Sequence, residues 1–280
     1  MKGPPRSTAW SSPGVFWKSK NRMGLHIIVC IKSVIVEAPN QSMVRSSDSS
    51  ELNPFDRPAL EQALRMKETV GGEITALTMG PASCAFVLQE AMAVGVDKGV
   101  LVSDIALAGS DTLATSTTLA AAIKRLEPFD LVLFGTRTSD SDTGHVGPQT
   151  AVLLDLPLVT WARTVQTQKN GLIVERSIDG FRERFELPFP AMLTIHPTSV
   201  QPRDLGLSGI MDAFEEGEIQ KWDLTDLGLS ASMVGEEGSP TRLLSMSKVN
   251  RTKKCEFLNG TAEEQAEGLL GRLLDTGLIG

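Results

Sequence analysis

From Leu25 onward, short apolar runs alternate with stretches whose apolar positions recur every three or four residues. "LHIIVCI" (25–31) is β-branched and strand-sized, and a polar, irregular stretch follows it to about Leu52. "NPFDRPALEQALRMKETV" then sets Ala59, Ala63, Met66 and Val70 on one helical face, with Asn53 as a capping candidate and Gly71 and Gly72 as the stop. The cycle repeats through strand "EITALTMG", helix "ASCAFVLQEAMAVG" and strand "KGVLVSD", with glycines closing the helices. A third helix, "SDTLATSTTLAAAIKRL", opens at a Ser/Asp cap and leads to "DLVLFG", which has no polar residue after Asp130 and reads as buried on both faces. Parallel strands require such crossovers, so residues 25 to about 157 are predicted to form an α/β, doubly wound, mostly parallel, Rossmann-like sheet.

The texture changes after Pro157. "LVTWARTVQTQ", "GLIVERSI" and "ERFELPFPAMLTI" read as two or three short antiparallel strands joined at "KNG" and "DG". A polar arm rich in Gly and Pro runs from about His196 to Pro240, with apolar islands such as "LGLSGIM". A segment of that kind is either disordered or finds its core on another polypeptide. "TAEEQAEGLLGRLLDTGLIG" reads as a helix with Leu269, Leu270, Leu273 and Leu274 on one side. The expected organisation is a leader at 1–22, an α/β domain with a hairpin extension at 23–195, and an arm with a terminal helix at 196–280.

Composition narrows the partners. Hydrophobic residues at 41% and charged residues at 22% are ordinary for a globular chain of 280 residues. The formal charge of −7 argues against a nucleic-acid partner, since binding that backbone depends on Lys and Arg displacing counterions. No apolar run approaches the roughly 20 residues a membrane span needs. Cys30, Cys84 and Cys255 show no CxxC spacing, and His26, His145 and His196 lack the i, i+4 spacing of a helical metal pair, so neither a disulfide framework nor a metal site is expected. That cysteine usage fits a reducing cytoplasm. The first 22 residues hold Lys2, Arg6, Lys18, Lys20 and Arg22 and no acid, while prolines and glycines break any signal-type helix. They read as a disordered tail, or as sequence ahead of a true start at Met23, with an organelle transit segment as the alternative.

Ligands of an open parallel sheet bind beyond the carboxyl ends of its strands, here the loops after Ile31, Met79, Asp104 and Gly135. The last of these, "SDSDTGHVGPQT" (139–150), runs from a buried strand into a helix start. Amides of Thr143, Gly144, His145, Val146 and Gly147 at such a positive helix end suit a phosphate. Neither GxGxxG nor GxxxxGK[ST] occurs, so the usual hydride-transfer and ATP-cleaving signatures are absent. Asp140 and Asp142 are candidate paired acids or Mg²⁺ ligands, but two Asp in a turn more often cap backbone N–H groups, which is the expectation here. His145 is a candidate base without a nucleophilic Ser or Cys in a recognisable motif, so a binding or structural role is expected and no catalytic residue is assigned.

The stretch "DLVLFGTRTSDSDTGHVGPQTAVLLDLP" resembles the nucleotide-binding signature of the electron transfer flavoprotein β subunit, whose flavin-containing branch reads close to G-R-Q-A-I-D-G-D-T-A-Q-V-G-P-Q. "LNPFDRPALEQALRMKE", "LTMGPASCAFVLQEAMAVGVDKGVLVSD", "AGSDTLATSTTLAAAI", "VERSIDGFRERFELPFPAMLTI" and "QPRDLGLSGIMDA" resemble the family in the same order, so the likeness covers about residues 24 to 215. It implies a heterodimer whose α subunit carries the electron-transferring FAD and is wrapped by the arm after about residue 196. It also implies a nucleotide site at Cys30, at Asn53, Pro54, Phe55 and Asp56, at Met79, and along the loop from Gly135 to Val146. In that loop it points to Gly135, Thr136, Arg137, Thr138, Asp140, Asp142, Thr143, Gly144, His145 and Val146. The nucleotide is AMP in the simple carriers of the family and a second FAD in its bifurcating group, which "DTxxVGPQ" resembles. In that group the β-subunit flavin accepts hydride from NADH and sends single electrons to high- and low-potential acceptors.

The family's dehydrogenase-recognition segment falls on "PRDLGLSGIM", with Leu207 at its apolar anchor and Ile210 and Met211 beside it. An acyl-CoA dehydrogenase-type flavoprotein is the implied partner, and a quinone reductase or ferredoxin the implied acceptor. Ser141, Gly144 and His145 replace the usual Gly, Ala and Gln; Asp204 replaces an aromatic, and Asp212 and Phe214 stand where many members carry Lys. The bacterial-type members are cytoplasmic, and a mitochondrial matrix location follows only if the leader is a transit segment. Two other readings share the predicted sheet: a stand-alone adenine-nucleotide-binding regulatory protein of the universal-stress type, and an ATP-cleaving enzyme with Asp140 and Asp142 on Mg²⁺.

Overall fold

Strand β2 (Leu25–Cys30) is apolar on both faces and takes the middle of the main sheet, flanked by β5 (Gly72–Met79) and β7 (Leu131–Gly135). Beyond β5 lie β6 (Lys98–Val102) and the edge strand β13 (Ile219–Trp222); beyond β7 lie β12 (Ala191–Ile195) and β8 (Leu158–Ala162), while β3 (Ser33–Ile35) and β4 (Ser50–Leu52) pair apart as a two-stranded ribbon. Every ladder of this seven-stranded sheet is parallel. The computed structural model describes residues 8–9, 24–35, 50–215, 217–242, 244 and 255–279. The leader expected at 1–22 lies outside the described residues except for the two-residue strand β1 (Thr8–Ala9). The chain divides into two compact units, residues 1–244 and 245–280.

Helices α1 (Arg57–Val70), α2 (Ala85–Ala93), α3 (Thr112–Arg125) and α4 (Val146–Leu153) supply the crossovers. They bury two apolar layers. Ala59, Ala63, Val87 and Leu88 of α1 and α2 belong to one cluster with Ile27, Val29 and Ile74; Leu119, Ile123 and Ala151 of α3 and α4 belong to the other with Ile28, Leu77 and Val132. Leu131 and Leu133 of β7 point into the first layer, Val132 and Phe134 into the second, so the strand needs no polar position. The chain runs outward from β2 through β5 to β6, then returns to lay β7 on the other side of β2. The strand order therefore reverses between β2 and β7, and a crevice opens at their carboxyl ends.

Local signals account for some element ends. Asp111 caps α3 by accepting the N–H groups of Leu113 and Ala114, and Gly71 stops α1 with φ +75°. Asn53 does not cap α1. The cap position is Asp56, which makes no side-chain capping bond, and the Asn53 side chain is engaged elsewhere. Strands β9 (Thr164–Gln168), β10 (Gly171–Ile178) and β11 (Phe181–Pro188) form the antiparallel extension, with β1 beside β11. Asp179 and Gly180 between β10 and β11 both have positive φ, as a tight I′-type turn requires.

Two expectations are corrected. "LVTWA" and "AMLTI", read as part of the antiparallel extension, form β8 and β12, so the parallel sheet continues past residue 157. Strand β12 is buried at every position and pairs Ala191 with Leu131 through Ile195 with Gly135, which suits a two-faced strand inside a parallel sheet. The segment after 196 was also expected to lack a core of its own. Instead α5 (Leu207–Glu215) packs on α2, β13 extends the sheet, and Leu224 of α6 (Leu224–Leu227) and Val234 are buried in the second apolar layer. A Cβ on Gly209 would sit 2.2 Å from the Ala93 carbonyl oxygen, so α5 approaches α2 as closely as glycine permits. In the second unit, α7 (Ala262–Asp275) opens with a Thr261/Glu264 capping box and has no buried residue. No helix among the described residues is long and apolar enough to cross a membrane.

Candidate functional site

At the reversal point Cys30 of β2 pairs with Phe134 of β7, and Gly135 follows. The Asn53–Asp56 segment crosses directly against that exit. A Cβ on Gly135 would lie 2.3 Å from Asp56 Oδ1 and 2.5 Å from the Phe55 carbonyl oxygen, so the chain leaves β7 here only as glycine. Asp56 is buried and accepts the Lys32 N–H at 2.9 Å. Burial pushes its carboxyl up to about 7, against the downward pull of hydrogen bonds from the Lys32 backbone, the Asn53 side chain and the Gly135 backbone and of the Lys32 charge. Burial, and then the Asp56 charge, raises the Cys30 thiol well above its usual range, so Cys30 packs as a neutral thiol.

The raised Asp56 value has a consequence for stability. Between the ordinary 3.8 and about 7 the folded protein keeps a proton that the unfolded chain releases. The stability tied to that proton is full below about pH 4 and is lost progressively as pH rises toward about 7. Asp56→Asn has no such proton to lose. Its urea midpoint is expected to gain on the wild-type midpoint as pH rises from about 4 to about 7, and a constant gap across that range would refute the assignment.

Asn53 is wholly buried and staples the long loop to the exit of β2. Its Nδ2 donates to the Arg137 carbonyl at 2.9 Å, its Oδ1 accepts the Ser139 N–H at 3.3 Å, and its own N–H donates to the Lys32 carbonyl at 2.9 Å. Lys32 pairs with Asp140 at 2.7 Å, and Arg137 pairs with Asp142 at 3.2 Å while its guanidinium lies 4.5 Å from the Phe55 ring centroid. Each of the two acids thus takes a basic partner, and both shape the loop. The Asp142 N–H closes a turn on the Thr138 carbonyl at 2.9 Å, Thr138 and Ser141 share a hydroxyl bond at 2.8 Å, and Asp142 and Gly144 adopt φ of +52° and +64°. Lys32 is the site residue that sequence reasoning missed. Its signal was its place, the first polar residue after a buried strand.

Past that turn the amide N–H groups of Thr143, Gly144, His145, Val146 and Gly147 find no acceptor among the described residues. They lead into the first turn of α4, with His145 at the cap position, its ring exposed and making no capping bond. A Cβ on Gly147 would meet Thr194 Cγ2 at 3.1 Å and the Phe134 ring at 3.4 Å, so glycine lets α4 sit low over β7 and β12. Thr136 is buried and its hydroxyl has no partner among the described residues; the Thr78 hydroxyl, beside Met79 at the end of β5, is in the same state. Orphaned hydroxyls and open amides at the carboxyl edge fit an oxygen-rich anion such as the phosphates of a nucleotide. The structure thus gathers Cys30, Asn53 to Asp56 and the 135–146 loop at one edge, with Met79 on the neighbouring strand. Leu207 and Met211 stand exposed on α5, whereas Ile210 turns in against the first apolar layer.

Residues 42–227 match the family model described as the electron transfer flavoprotein domain. The chain belongs to the electron transfer flavoprotein family. The electron transfer flavoprotein subunit beta of Thermoanaerobacterium thermosaccharolyticum is 35% identical over 255 residues, covering 89% of this chain and 98% of that one. Subunit CarD of the caffeyl-CoA reductase-Etf complex of Acetobacterium woodii is 37% identical over 253 residues, covering 88% and 96%. The acryloyl-CoA reductase electron transfer subunit gamma of Anaerotignum propionicum is 33% identical over 267 residues, covering 91% and 100%. This electron transfer flavoprotein chain is of the β-subunit type, and the matched span contains both the open-amide loop and α5. The universal-stress reading is left without a supporting observation.

Proposed function

We propose that the chain is the β subunit of a heterodimeric electron transfer flavoprotein that holds FAD, or AMP in its place, at the carboxyl ends of β2, β5 and β7. The heterodimer passes electrons between an acyl-CoA dehydrogenase-type flavoprotein, NADH and an acceptor such as a quinone reductase or ferredoxin. The observation that carries this reading is the Gly135–Val146 loop, whose open amides run into α4 beside the orphaned Thr136 hydroxyl. The amides of Thr143 to Gly147 and the Thr136 hydroxyl take the phosphate oxygens, helped by the positive end of α4. Asn53 fixes the loop, and Asp56, protonated below about pH 7, keeps a full negative charge away from those phosphates. Arg137, held over Phe55, supplies positive charge at the mouth.

FAD, when bound, supplies the redox chemistry through its isoalloxazine. The chain's own groups bind and orient it, which accounts for a loop with no nucleophile. The α subunit, with its own FAD, is wrapped by the C-terminal segment ending in α7. Relatives named for caffeyl-CoA and acryloyl-CoA reductases support a CoA-ester flavoprotein as the electron-exchanging partner, and the "DTxxVGPQ" likeness supports bifurcation with NADH. The bacterial relatives support a cytoplasmic location.

The test is to co-purify the chain with its α subunit, denature the complex and identify the nucleotides released. Two FAD per heterodimer supports the bifurcating form, and one FAD with one AMP the simple carrier. Absence of both flavin and partner would remove the proposal.

A further inference from the structure

The outward face of α5 is apolar and its surroundings are acidic. Leu207, Met211 and Phe214 recur at i, i+4 and i+7 and are 75%, 53% and 66% exposed, with Leu205 at 42% just ahead of them. The inward side is fixed by Gly209 against the Ala93 carbonyl, by buried Ala213 and by Ile210. Packing on α2 therefore explains one side of the helix and leaves the outer apolar stripe unaccounted for. Its root is clamped. Arg203 donates to the two Glu61 carboxylate oxygens at 2.8 and 3.2 Å and to Glu68 at 2.8 Å, and Arg65 donates to Glu61 at 2.8 Å.

Arg203 is the single basic residue between positions 203 and 218, and both its acidic partners lie on α1. Asp204, Asp212, Glu215 and Glu218 are all exposed around the stripe, and Glu216 adds a further acid to the same span. The face thus presents a small apolar centre inside a rim of one charge sign.

We propose that this face docks a flavoprotein whose own surface offers an apolar cavity rimmed by lysine and arginine. The inference rests on the flavoprotein partner proposed above, places it on the segment whose resemblance implies dehydrogenase recognition, and adds the chemistry of that partner. Permanent interfaces are large and keep charge from their centres, whereas electron-transfer encounters are small and steered by complementary charge. A clamped apolar ridge with an acidic rim has the second character, so the rim sets the association rate and the ridge sets the register.

The test uses the flavin-loaded heterodimer and a panel of purified acyl-CoA dehydrogenase-type flavoproteins, some with basic and some with acidic docking surfaces. Electron transfer is followed at subsaturating dehydrogenase while ionic strength rises from about 0.01 to about 0.15 M, which shortens the screening length from about 30 to about 8 Å. Transfer is expected with the basic-rimmed members, slowing about ten-fold or more across that range. The double variant Asp212→Lys/Glu215→Lys should lose the salt dependence and transfer about ten-fold more slowly at low salt, with flavin content and α-subunit association unchanged. Leu207→Ala/Met211→Ala should slow transfer at every salt concentration. Rates that rise with salt, a faster charge-reversed variant, or loss of α-subunit association in either variant would overturn the inference, the last by giving this face to the α subunit. A flavin-loaded heterodimer that reacts only with acidic-rimmed members would defeat the inferred polarity alone. One that holds no flavin and reacts with none of the panel would defeat the proposed function and this inference with it.

Discussion

Co-purified with its α subunit, a Gly135→Val chain is expected to carry no nucleotide of its own and to unfold at a lower urea concentration than wild type. The cause is steric. The first side-chain carbon would overlap Asp56 Oδ1 at 2.3 Å and the Phe55 carbonyl at 2.5 Å, and two further methyls have no space to enter. The strand exit, the Asp56 carboxyl or the Phe55 backbone must move, and all three abut the loop that carries the open amides. Overpacking of this kind costs about 1–3 kcal/mol of stability. Displacing the loop by a fraction of an ångström forfeits hydrogen bonds to a charged phosphate worth about 1.5–3 kcal/mol each, so losing two weakens binding at least about a hundred-fold. Nucleotide release on denaturation and urea titration read the two effects separately. Wild-type nucleotide content with an unchanged midpoint would show that the crevice is not organised around this glycine.

What could be read in advance divides along the distance of the interaction. The alternation of strands and helices was legible because each run carries its own period, and the cap at Asp111 and the Asp179–Gly180 turn were legible because their partners are a few residues away. Strand β12 was misplaced because "AMLTI" looks the same whichever strand it joins; what puts it in the main sheet is its register on β7, some 60 residues upstream. Strand β13 was missed for a related reason. As an edge strand, Ile219–Trp222 mixes polar and apolar positions and carries too little pattern to stand out from the arm.

The same division runs through the site. The open amides of residues 143–147 follow from turn chemistry near a helix start, so that feature of the loop could be seen in the sequence. The partners of its acids could not. Asp140 finds Lys32 across 108 positions, and Asn53 finds Arg137 across 84, so neither partner carries a local signal.

Asn53 also yields the second large effect. With the side chain cut back to alanine, the Arg137 carbonyl and the Ser139 N–H lose their shared partner, and the Lys32–Asp140 ion pair is left to hold that stretch of loop to the exit of β2. Leaving such groups unsatisfied costs about 1–3 kcal/mol. Because Arg137 and Ser139 are exposed, part of that cost is recovered by water. The remainder falls on the order of the loop, and Asn53→Ala is expected to bind nucleotide about ten- to hundred-fold more weakly while the global midpoint falls only slightly. Asn53→Asp separates shape from charge. It keeps the acceptor for Ser139, removes the donor to Arg137, and sets a second carboxylate beside buried Asp56 in the crevice proposed for the phosphates. If the site is a phosphate cradle, the aspartate variant binds nucleotide more weakly than the alanine variant, and the gap widens as pH rises through the Asp56 titration. If shape alone matters, the aspartate variant is the milder of the two, and an isothermal titration of both at two pH values decides between them.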